Sequence, residues 1–541
     1  MAVLPTQQNW MLWALLVALA GAEPARAADW AVVRTDKGLV RGAVAGNVRS
    51  FLGIPYAAPP VGNRRWQPPA AMSAWTGPRD ATRPGTVCPQ FQQATSDTPA
   101  QWVGDEDCLY LNVYTPFSTG ATQKNLPVMV WLHGGGFASQ AGSYYDPTPL
   151  VTQGRVIVVT LNYRLGVFGF LAHPALNTPT NKSGAFGIQD QQAALKWVKL
   201  NAAAFGGDPN NITLFGQSAG GVSVCANLVS PQAAGLFHKA IEQSGPCSTT
   251  WPTQTEAEQR GEMAASQLEC HSAGTANAVA ACLRRLPAAT LLGATTRLTF
   301  GLVVGGNVVP RQPALALSSG RFNKMPLMVG NTHDEYRLFV GLAYLGPPPA
   351  TAEEYAALVQ ARYGARSQDV LARYPASNYA SPSLALAALE TDHTSPGLFP
   401  LSACQHLATE QLVSSQVSTY AYEFNDPNAA MPVEAVVPDF PMGAAHGSEL
   451  PYLLELRVPG MGNKQKTAEQ QQLADGMIRY WTNFARSGDP NGSGLSPWKP
   501  FKSSADVQSL APASQGGIRP VDLSGEHQCS FWNATQPDGP R

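Results

Sequence analysis

Continuous apolar runs alternate with amphipathic segments through the centre of the chain. The runs at 128–132 and 156–161 predict buried strands, and the apolar spacing at 189–201 predicts an amphipathic helix. A third apolar run, 212–215, leads directly into a small-residue helical segment at 219–228. Because buried strands alternating with helices are typical of a parallel sheet covered on both faces, this pattern predicts an α/β fold.

The flanking regions extend this sheet. At 30–51, short strand patterns alternate with glycine-containing and charged turns, which predicts an N-terminal β-meander. Short apolar runs at 239–242 and 327–329 predict two further strands. A strand at 417–424 and a helix at 467–486 are expected to close the fold. No repeat and no interdomain linker are visible in the sequence, which favours one large domain.

Two blocks rich in Ala and Leu, 257–294 and 351–389, have helical spacing. Proline runs lie between and within them. Active sites of parallel sheets lie at the carboxyl ends of the strands, so we expect these blocks to be helical insertions over that edge, as a lid or a pocket wall.

The N-terminus has the pattern of a secretory leader. An apolar run at 10–22 is too short to span a bilayer, and Ala25 and Ala27 place small residues at the cleavage-defining positions. The pattern predicts a signal peptide at 1–27, a mature domain at 28–541 and a secreted or periplasmic protein. No Lys or Arg precedes the apolar run, and the alternative is a buried N-terminal helix.

Composition narrows the function classes. The chain has 541 residues, 13% of them charged, and a formal net charge of −1, which gives no indication of a nucleic-acid or an acidic partner. No other stretch is long and apolar enough for a membrane span, and residues 535–541 carry no anchor signal. The sequence leaves the oligomeric state open.

Eight cysteines in an exported chain predict disulfides. Cys225 lies on the apolar face of the segment 219–228, where we interpret it as a buried free thiol. The sequence contains no Cys-x-x-Cys pair and its histidines are scattered, which argues against a zinc site.

A Gly-Gln-Ser-Ala-Gly pentapeptide occupies 216–220, between a predicted strand and a predicted helix. In such a turn the central Ser218 is exposed at the tip, and Gly216 and Gly220 avoid collision with the neighbouring strand and helix. The same pentapeptide also occurs by chance, so a nucleophile here requires a base, an acid and oxyanion donors elsewhere.

The base and the acid are expected after the serine, in the order serine, acid, histidine. His446 lies in a loop between glycines after the strand 417–424, where the alternative is an ordinary surface histidine. Asp334 and Glu335 follow the strand 327–329, where the alternative is a solvated turn, and spacing does not choose between them. Chain order excludes His333 as the base. The other histidines after Ser218 are interpreted as structural: His238, His271, His393, His406 and His527.

Three consecutive glycines, 134–136, follow the strand 128–132 and let backbone N–H groups approach a substrate oxyanion. The N–H of Ala219 would add a donor from the helix N-terminus. A phosphate cradle is the alternative for such glycines, but it requires Lys and Ser or Thr at P-loop spacing, which are missing here.

Together these motifs resemble the type B carboxylesterases, the cholinesterase-like branch of the α/β-hydrolases. The resemblance covers essentially all of the mature chain. The motifs that carry it are Glu-Asp-Cys-Leu-Tyr-Leu-Asn at 106–112, Gly-Gly-Gly-Phe at 134–137, Asn-Tyr-Arg at 162–164, Phe-Gly-Gly-Asp-Pro at 205–209 and Phe-Gly-Gln-Ser-Ala-Gly-Gly at 215–221.

The resemblance implies an α/β-hydrolase fold and site residues. It places the acid on Glu335 and the base on His446, and it places the oxyanion donors on Gly135, Gly136 and Ala219. It also implies bridges Cys88–Cys108, Cys270–Cys282 and Cys404–Cys529, with Cys225 and Cys247 left free. Finally, it implies ion pairs Arg65–Glu106 and Arg164–Asp190, and a hydroxyl near the triad from Ser244.

The chain departs from the cholinesterases at three positions. Gln217 stands in the elbow where they have Glu, and Tyr336 follows Glu335 where Gly is usual. Trp102 lies at a different distance from Cys108 than their choline-binding Trp. These departures argue against a quaternary-ammonium site, and we interpret Trp102 as loop packing.

The sequence thus predicts an exported serine carboxylic-ester hydrolase that forms an acyl-enzyme on Ser218, acts on a small-molecule ester and needs no cofactor or metal. Cleavage of amides, carbamates or polymer esters by the same triad is one alternative. A non-catalytic binding protein on a hydrolase scaffold is another, which the presence of all three triad residues disfavours.

Overall fold

The structure is a computed structural model that describes residues 30–92, 99–118, 124–395, 398–429, 440–458 and 465–534. The predicted leader at 1–27 and the C-terminal residues 535–541 lie outside the described residues.

The strands of the described residues are β1 (Trp30–Arg34), β2 (Leu39–Ala45), β3 (Val48–Pro55), β4 (Pro78–Asp80), β5 (Gln90–Gln92), β6 (Gln101–Val103), β7 (Tyr110–Pro116), β8 (Leu126–Leu132), β9 (Tyr145–Asp146), β10 (Ile157–Leu161), β11 (Gly207–Gln217), β12 (Lys239–Gln243), β13 (Leu327–Thr332), β14 (Thr419–Phe424), β15 (Glu455–Leu456), β16 (Val507–Leu510) and β17 (Arg519–Val521).

The α-helices of the same residues are α1 (Thr148–Gly154), α2 (Gly166–Phe170), α3 (Phe186–Asn201), α4 (Ala219–Val229), α5 (Gln254–Gln267), α6 (Ala276–Arg285), α7 (Ala288–Ala294), α8 (Pro313–Ser318), α9 (Arg337–Gly341), α10 (Ala352–Tyr363), α11 (Ser367–Arg373), α12 (Pro382–Asp392), α13 (Ala403–Ser414), α14 (Leu450–Leu453), α15 (Ala468–Ser487), α16 (Leu523–Glu526) and α17 (Cys529–Ala534).

One large mixed sheet organises these elements. Its strands follow the order β1-β2-β3-β7-β10-β8-β11-β12-β13-β14-β16-β17, with β4 paired beside β2. The strands β10, β8, β11, β12, β13, β14 and β16 are parallel to one another. The strands β1, β2, β3 and β7 form the antiparallel meander, and β7 and β17 pair antiparallel with the two ends of the parallel part. The predicted α/β fold with a largely parallel centre and an N-terminal meander is therefore confirmed.

The central strands are buried on both faces, as their continuous apolar runs predict. In β8, Val128, Val130 and Leu132 belong to a core shared with residues of α3 and α4. The intervening Met129 and Trp131 belong to a second core, shared with residues of α1 and α15. Because side chains alternate across a strand, one apolar run supplies both helix-covered faces.

The two Ala- and Leu-rich blocks are helical but interrupted. The first forms α5, α6 and α7, and the second forms α10, α11 and α12. Capping boxes at Thr253 and Thr351 begin α5 and α10, since each threonine accepts the backbone N–H of the glutamate three residues later. The helix α12 packs against α9, the short helix that follows β13.

Both ion pairs implied by the resemblance are confirmed. Arg164 grips Asp190 with two hydrogen bonds of 2.7 Å, and both side chains are almost fully buried. Arg65 pairs with Glu106 and donates to the carbonyl of Leu286 at 2.7 Å, just after α6. Paired and hydrogen-bonded charges of this kind are tolerated in a core because each has a compensating partner.

Four disulfides join all eight cysteines, which all lie in the described residues: Cys88–Cys108, Cys225–Cys247, Cys270–Cys282 and Cys404–Cys529. The expectation of free thiols at Cys225 and Cys247 was wrong. Cys225 does lie buried on α4, but the loop after β12 comes within reach of it, with the two Cα atoms 5.4 Å apart. Gly221 and Gly245 permit this approach, since a Cβ on Gly245 would lie 2.4 Å from the Val222 nitrogen.

Among the described helices, none is both long and apolar enough to cross a membrane.

Candidate active site

Ser218 occupies the turn between β11 and α4, near the centre of the sheet. Its backbone has φ 58° and ψ −125°, a strained conformation for a residue with a side chain. The turn is fixed by hydrogen bonds on both sides: the Ser218 N–H donates to the Gln243 carbonyl, and the Ser218 carbonyl accepts from Val222, each at 2.9 Å. The structure thus places the serine at the tip of a strand–turn–helix elbow.

The two glycines of the pentapeptide are required by close backbone contacts. A Cβ on Gly220 would lie 2.0 Å from the Leu132 carbonyl oxygen at the end of β8, and one on Gly216 would lie 2.6 Å from the backbone of Gly220. The prediction that side chains here would collide with the neighbouring strand and helix is confirmed.

Glu335 and His446 meet although 111 residues separate them. The Nδ1 atom of His446 lies 2.6 Å from a carboxylate oxygen of Glu335, in a fully buried contact. The other carboxylate oxygen accepts from the backbone N–H of Thr332 at 2.9 Å and from the hydroxyl of Ser244. These hydrogen bonds fix the position of the carboxylate group beside the imidazole ring.

Burial and the contact between the two side chains shift the pKa values of His446 and Glu335 in opposite directions. Burial alone would lower the pKa of His446, but the adjacent Glu335 carboxylate outweighs it and raises that pKa above its ordinary value. Burial likewise tends to raise the pKa of Glu335, yet the His446 imidazole and its hydrogen bond bring it below the usual value. The carboxylate is therefore held ionised beside the ring.

Asp334 has a different task from its neighbour. Its carboxylate accepts the Ala444 N–H at 2.9 Å and pairs with Arg337 at 2.9 Å, while its own N–H donates to the Ala444 carbonyl at 3.0 Å. Gly443 is in the left-handed region, φ 60°, and a Cβ there would lie 2.2 Å from the Asp334 carboxylate. Asp334 therefore clamps the loop that carries His446, and Glu335 alone contacts the ring.

The glycine loop after β8 presents free backbone donors. Gly135 and Gly136 both have positive φ, 92° and 61°, and within the described residues neither of their N–H groups donates a hydrogen bond. The N–H of Ala219, at the start of α4, is also free of a partner there. His133 is buried and stacked on Tyr163 at 4.4 Å, and it supports the loop from beneath.

The second ring nitrogen of His446 faces Gln217. Its Nε2 atom lies 3.2 Å from the Gln217 side-chain nitrogen, whereas the described residues contain no hydrogen bond between Ser218 Oγ and His446. Hydrogen bonds to a catalytic serine are often long or misaligned before substrate binds. The structure therefore brings the predicted acid and the predicted base together, and it contains no hydrogen bond from the base to the serine among the described residues.

Glu449 is a buried carboxyl group that the sequence did not single out. It accepts a hydrogen bond from Gln243 at 3.2 Å. Burial and the nearby Glu335 charge raise its pKa to about 7. Its position three residues after His446, at the start of α14, is the one signal in the sequence, but spacing alone does not reveal burial. A second carboxyl group therefore influences the electrostatics of the base.

Aromatic residues line one side of the base. The Phe339 ring, on α9, lies 5.2 Å from the His446 ring, and it also contacts the rings of Tyr344 and Phe399. Tyr344 is 61% exposed and Phe399 49% exposed, so this aromatic surface faces solvent. Tyr336 itself is buried and donates its hydroxyl to the Phe399 carbonyl, which anchors the surface.

The remaining candidates have other surroundings. His238 accepts the Ile212 N–H at 3.1 Å, His393 stacks on Trp532 at 4.2 Å, and His406 is buried 3.4 Å from Glu242. Trp102 packs edge-on against Phe91 in the β5–β6 hairpin, at 4.9 Å between ring centroids. His333 and His527 both contact Glu423 and not the triad.

Comparison with known proteins agrees with the motifs. The sequence model described as "Carboxylesterase family" matches residues 29–532. Fumonisin B1 esterase of Sphingopyxis macrogoltabida is 35% identical over 493 residues, which cover 88% of this chain and 86% of that protein. Pyrethroid hydrolase Ces2e of Rattus norvegicus is 33% identical over 563 residues, 99% of this chain and 94% of that protein.

The fold is also similar to solved structures. A thermophilic PNB esterase superposes with a TM-score of 0.73 at 31% identity, covering 92% of this chain and 99% of the esterase. At this coverage and identity, the similarity identifies the fold as an α/β-hydrolase fold.

Proposed function

Because the chain belongs to the carboxylesterase family of serine-type carboxylic-ester hydrolases, we propose that it cleaves esters through an acyl-enzyme intermediate on Ser218. The observation that carries this proposal is the 2.6 Å contact between Glu335 and His446, in a loop packed beside the strained serine elbow. No single stretch of sequence supplies this arrangement, and it has the order serine, acid, histidine along the chain.

The proposed reaction has two halves. His446 takes the proton of Ser218 as Oγ attacks the ester carbonyl, and Glu335 orients and stabilises the imidazolium that forms. The N–H groups of Gly135, Gly136 and Ala219 bind the oxyanion, since none of them has a hydrogen-bond partner among the described residues. His446 then gives its proton to the leaving alcohol. Water repeats the cycle on the acyl-enzyme, with His446 again as base.

The aromatic surface beside His446 supports a preference for esters with an apolar or aryl group. Phe339, Tyr344 and Phe399 offer ring faces next to the base, where such a group would be removed from water. A series of p-nitrophenyl esters of increasing chain length, with aryl esters beside it, tests this preference through kcat/KM. A flat series would contradict it.

The mature enzyme is proposed to be one hydrolase domain, residues 28–541, exported after removal of residues 1–27. Four disulfides support an oxidising compartment, secreted or periplasmic. The family match begins at residue 29, next to the predicted cleavage site.

Ser218→Ala tests the mechanism. Removing the nucleophile is expected to lower kcat for p-nitrophenyl acetate by about 10⁴-fold or more, since a triad without its serine loses covalent catalysis. Circular dichroism and the thermal midpoint of unfolding should match wild type, because Ser218 Oγ makes no hydrogen bond within the part of the chain that the structure describes. A fluorophosphonate probe should label the wild-type chain at Ser218 alone. Retained turnover in the variant would refute the proposed nucleophile.

A further inference from the structure

Two histidines and a glutamate that are distant in sequence form a cluster behind the turn that carries Glu335. His333 follows β13, Glu423 lies in β14, and His527 lies between α16 and α17. One ligand-type atom from each of the three side chains lies within 4.8 Å of the other two. The parallel pairing of β13 with β14, where Asn331 is opposite Glu423, brings the first two together.

The third member is held in place by the C-terminal segment. His527 is two residues before Cys529, which is bonded to Cys404 on α13. This bridge joins residues 125 apart and ties the segment to the body of the fold. The cluster is therefore a product of tertiary structure, and the scattered positions of its histidines in the sequence gave no sign of it.

Glu423 contacts both imidazole rings. One carboxylate oxygen lies 3.1 Å from His333 Nδ1, and the other lies 2.5 Å from His527 Nε2. The remaining His527 nitrogen, Nδ1, lies 2.6 Å from a carboxylate oxygen of Asp392. The second Asp392 oxygen accepts from the Tyr374 hydroxyl at 2.7 Å. Hydrogen bonds therefore orient all three side chains: Glu423 contacts both rings, and Asp392 holds the far nitrogen of His527.

We propose that His333, Glu423 and His527 form a binding site for a divalent transition-metal ion, with Zn²⁺ as the best match. Two imidazoles and one carboxylate are a common zinc ligand set, which leaves the fourth tetrahedral position open. Asp392 stands where zinc sites place a carboxylate, on the ring nitrogen that does not face the ion.

Binding exchanges a proton for the ion. His527 Nε2 lies 2.5 Å from a Glu423 oxygen, so a proton lies between them, and binding of the ion releases this proton to solvent. Ligands about 2.0–2.2 Å from zinc in a tetrahedron stand about 3.4 Å apart, so this pair must open by less than an ångström. The three ligand atoms now lie within 4.8 Å of one another, so the wider separations must close. The site therefore requires small rotations of the Glu423 and His333 side chains when the ion binds.

One edge of the cluster is open to solvent. The His333 side chain is 33% exposed, whereas Glu423 and His527 are buried. An ion can therefore enter past His333, and water can take the fourth position there. The site is separate from the triad, because His333 and Glu335 face different partners although they share a turn.

The competing arrangement is a network held by protons alone, with a His527 imidazolium between Asp392 and Glu423. The proposed site predicts that each chain binds one metal ion, whereas the proton network predicts no stoichiometric binding. The test uses the full chain, stripped with a chelator and titrated with Zn²⁺ by calorimetry at pH 7.5. We expect one Zn²⁺ per chain in the wild type and a binding constant at least 10-fold weaker in His333→Ala. His271→Ala removes an exposed histidine elsewhere and should bind as wild type does.

Co²⁺ gives an independent readout on the wild-type chain alone. Tetrahedral Co²⁺ bound by nitrogen and oxygen ligands should show visible absorption bands, which Zn²⁺ displaces. His333→Gln provides a second variant in case His333→Ala is not folded, as judged by circular dichroism. Absence of stoichiometric binding, or unchanged binding in the folded His333 variant, would establish the proton network and overturn the site. Neither result depends on esterase activity, so the proposed function is tested separately.

Discussion

A few side-chain contacts determine the pKa of His446, the proposed base. The His446 ring is fixed on one side by Glu335, and its Nε2 atom faces the uncharged amide of Gln217 at 3.2 Å. The Glu449 carboxyl group, whose own pKa is raised to about 7, adds negative charge nearby when it ionises. Burial lowers the pKa of His446, whereas Glu335 and Glu449 raise it, and the neutral amide at position 217 adds no charge to this balance.

The pH dependence of hydrolysis follows from this arrangement. A general base must be neutral, and the pKa of His446 is raised by Glu335, so the ring stays protonated up to a higher pH than a free imidazole. We expect kcat/KM for p-nitrophenyl acetate to fall on the acid side with a midpoint above the ordinary histidine value of about 6.5. A profile from pH 5 to 9 measures this midpoint. A midpoint at or below 6.5 would argue against His446 as the base.

Gln217→Glu should move that midpoint upward. A carboxylate in place of the amide, 3.2 Å from Nε2, stabilises the imidazolium, and an opposite charge at this distance shifts a pKa by about 1–3 units. The same pH profile measures the shift.

Two matched variants complete the experiment. Glu449→Gln removes a carboxyl group that raises the pKa of His446, so its midpoint should move downward. Gln232→Glu places the same new charge on the exposed surface and should leave the midpoint unchanged. If Gln217→Glu and Gln232→Glu gave the same profile, the amide contact would have no electrostatic role.

At the scale of elements, the site is built where three strands end. The elbow follows β11, the proposed acid Glu335 follows β13, and the proposed base His446 lies in the loop between β14 and α14. Close approach of α4 to the loop after β12 depends on Gly221 and Gly245, and the bridge Cys225–Cys247 fastens the same two elements. That loop also contains Ser244, which hydrogen-bonds Glu335.

The double variant Cys225→Ala, Cys247→Ala should therefore lose stability. Removing a bridge that closes a loop of this length is expected to lower the free energy of unfolding by about 3 kcal/mol, because the unfolded chain regains conformational freedom. Urea unfolding without reductant measures the difference from wild type. A thiol assay on the denatured, unreduced wild type is the direct check, and two free thiols per chain would contradict the bridge.

At the scale of the whole molecule, the parallel sheet carries helix-covered cores on both faces. A third core lies among α10, α12, α13 and the C-terminal helix α17, fastened by Cys404–Cys529. Four disulfides in one chain are typical of proteins that fold in an oxidising compartment.

Export is therefore expected to leave a defined N-terminus. Expression of the full chain in a host with a general secretory pathway should yield exported protein that begins at Ala28, read by N-terminal sequencing and intact mass. Ala27→Lys places a large charged residue at the cleavage position and should slow processing. Protein that stays inside the cell with residues 1–27 attached would contradict the predicted leader.

Much of the fold and part of the site could be predicted from the sequence, because they depend on local pattern. Apolar runs identify buried strands, and the elbow glycines identify a turn in which Ser218 is exposed, since both effects arise within a few residues. The choice of Glu335 over Asp334 came from family resemblance. Both carboxylates follow the same predicted strand, so their positions in the sequence do not distinguish them. Structure supplies the physical reason, in that Asp334 bonds the 443–444 backbone while Glu335 reaches the ring.

Several contacts between distant segments were indicated neither by local pattern nor by the family resemblance, and only the tertiary structure decided them. Three of these contacts join residues on different elements: Cys225 with Cys247, Gln217 with His446, and the cluster of His333, Glu423 and His527. The burial of Glu449 is likewise a result of how the elements pack. Each depends on how closely strands, helices and loops pack, to within an ångström. Hydrophobic periodicity determines which face of an element is buried, but it carries no information on which polar side chains then meet.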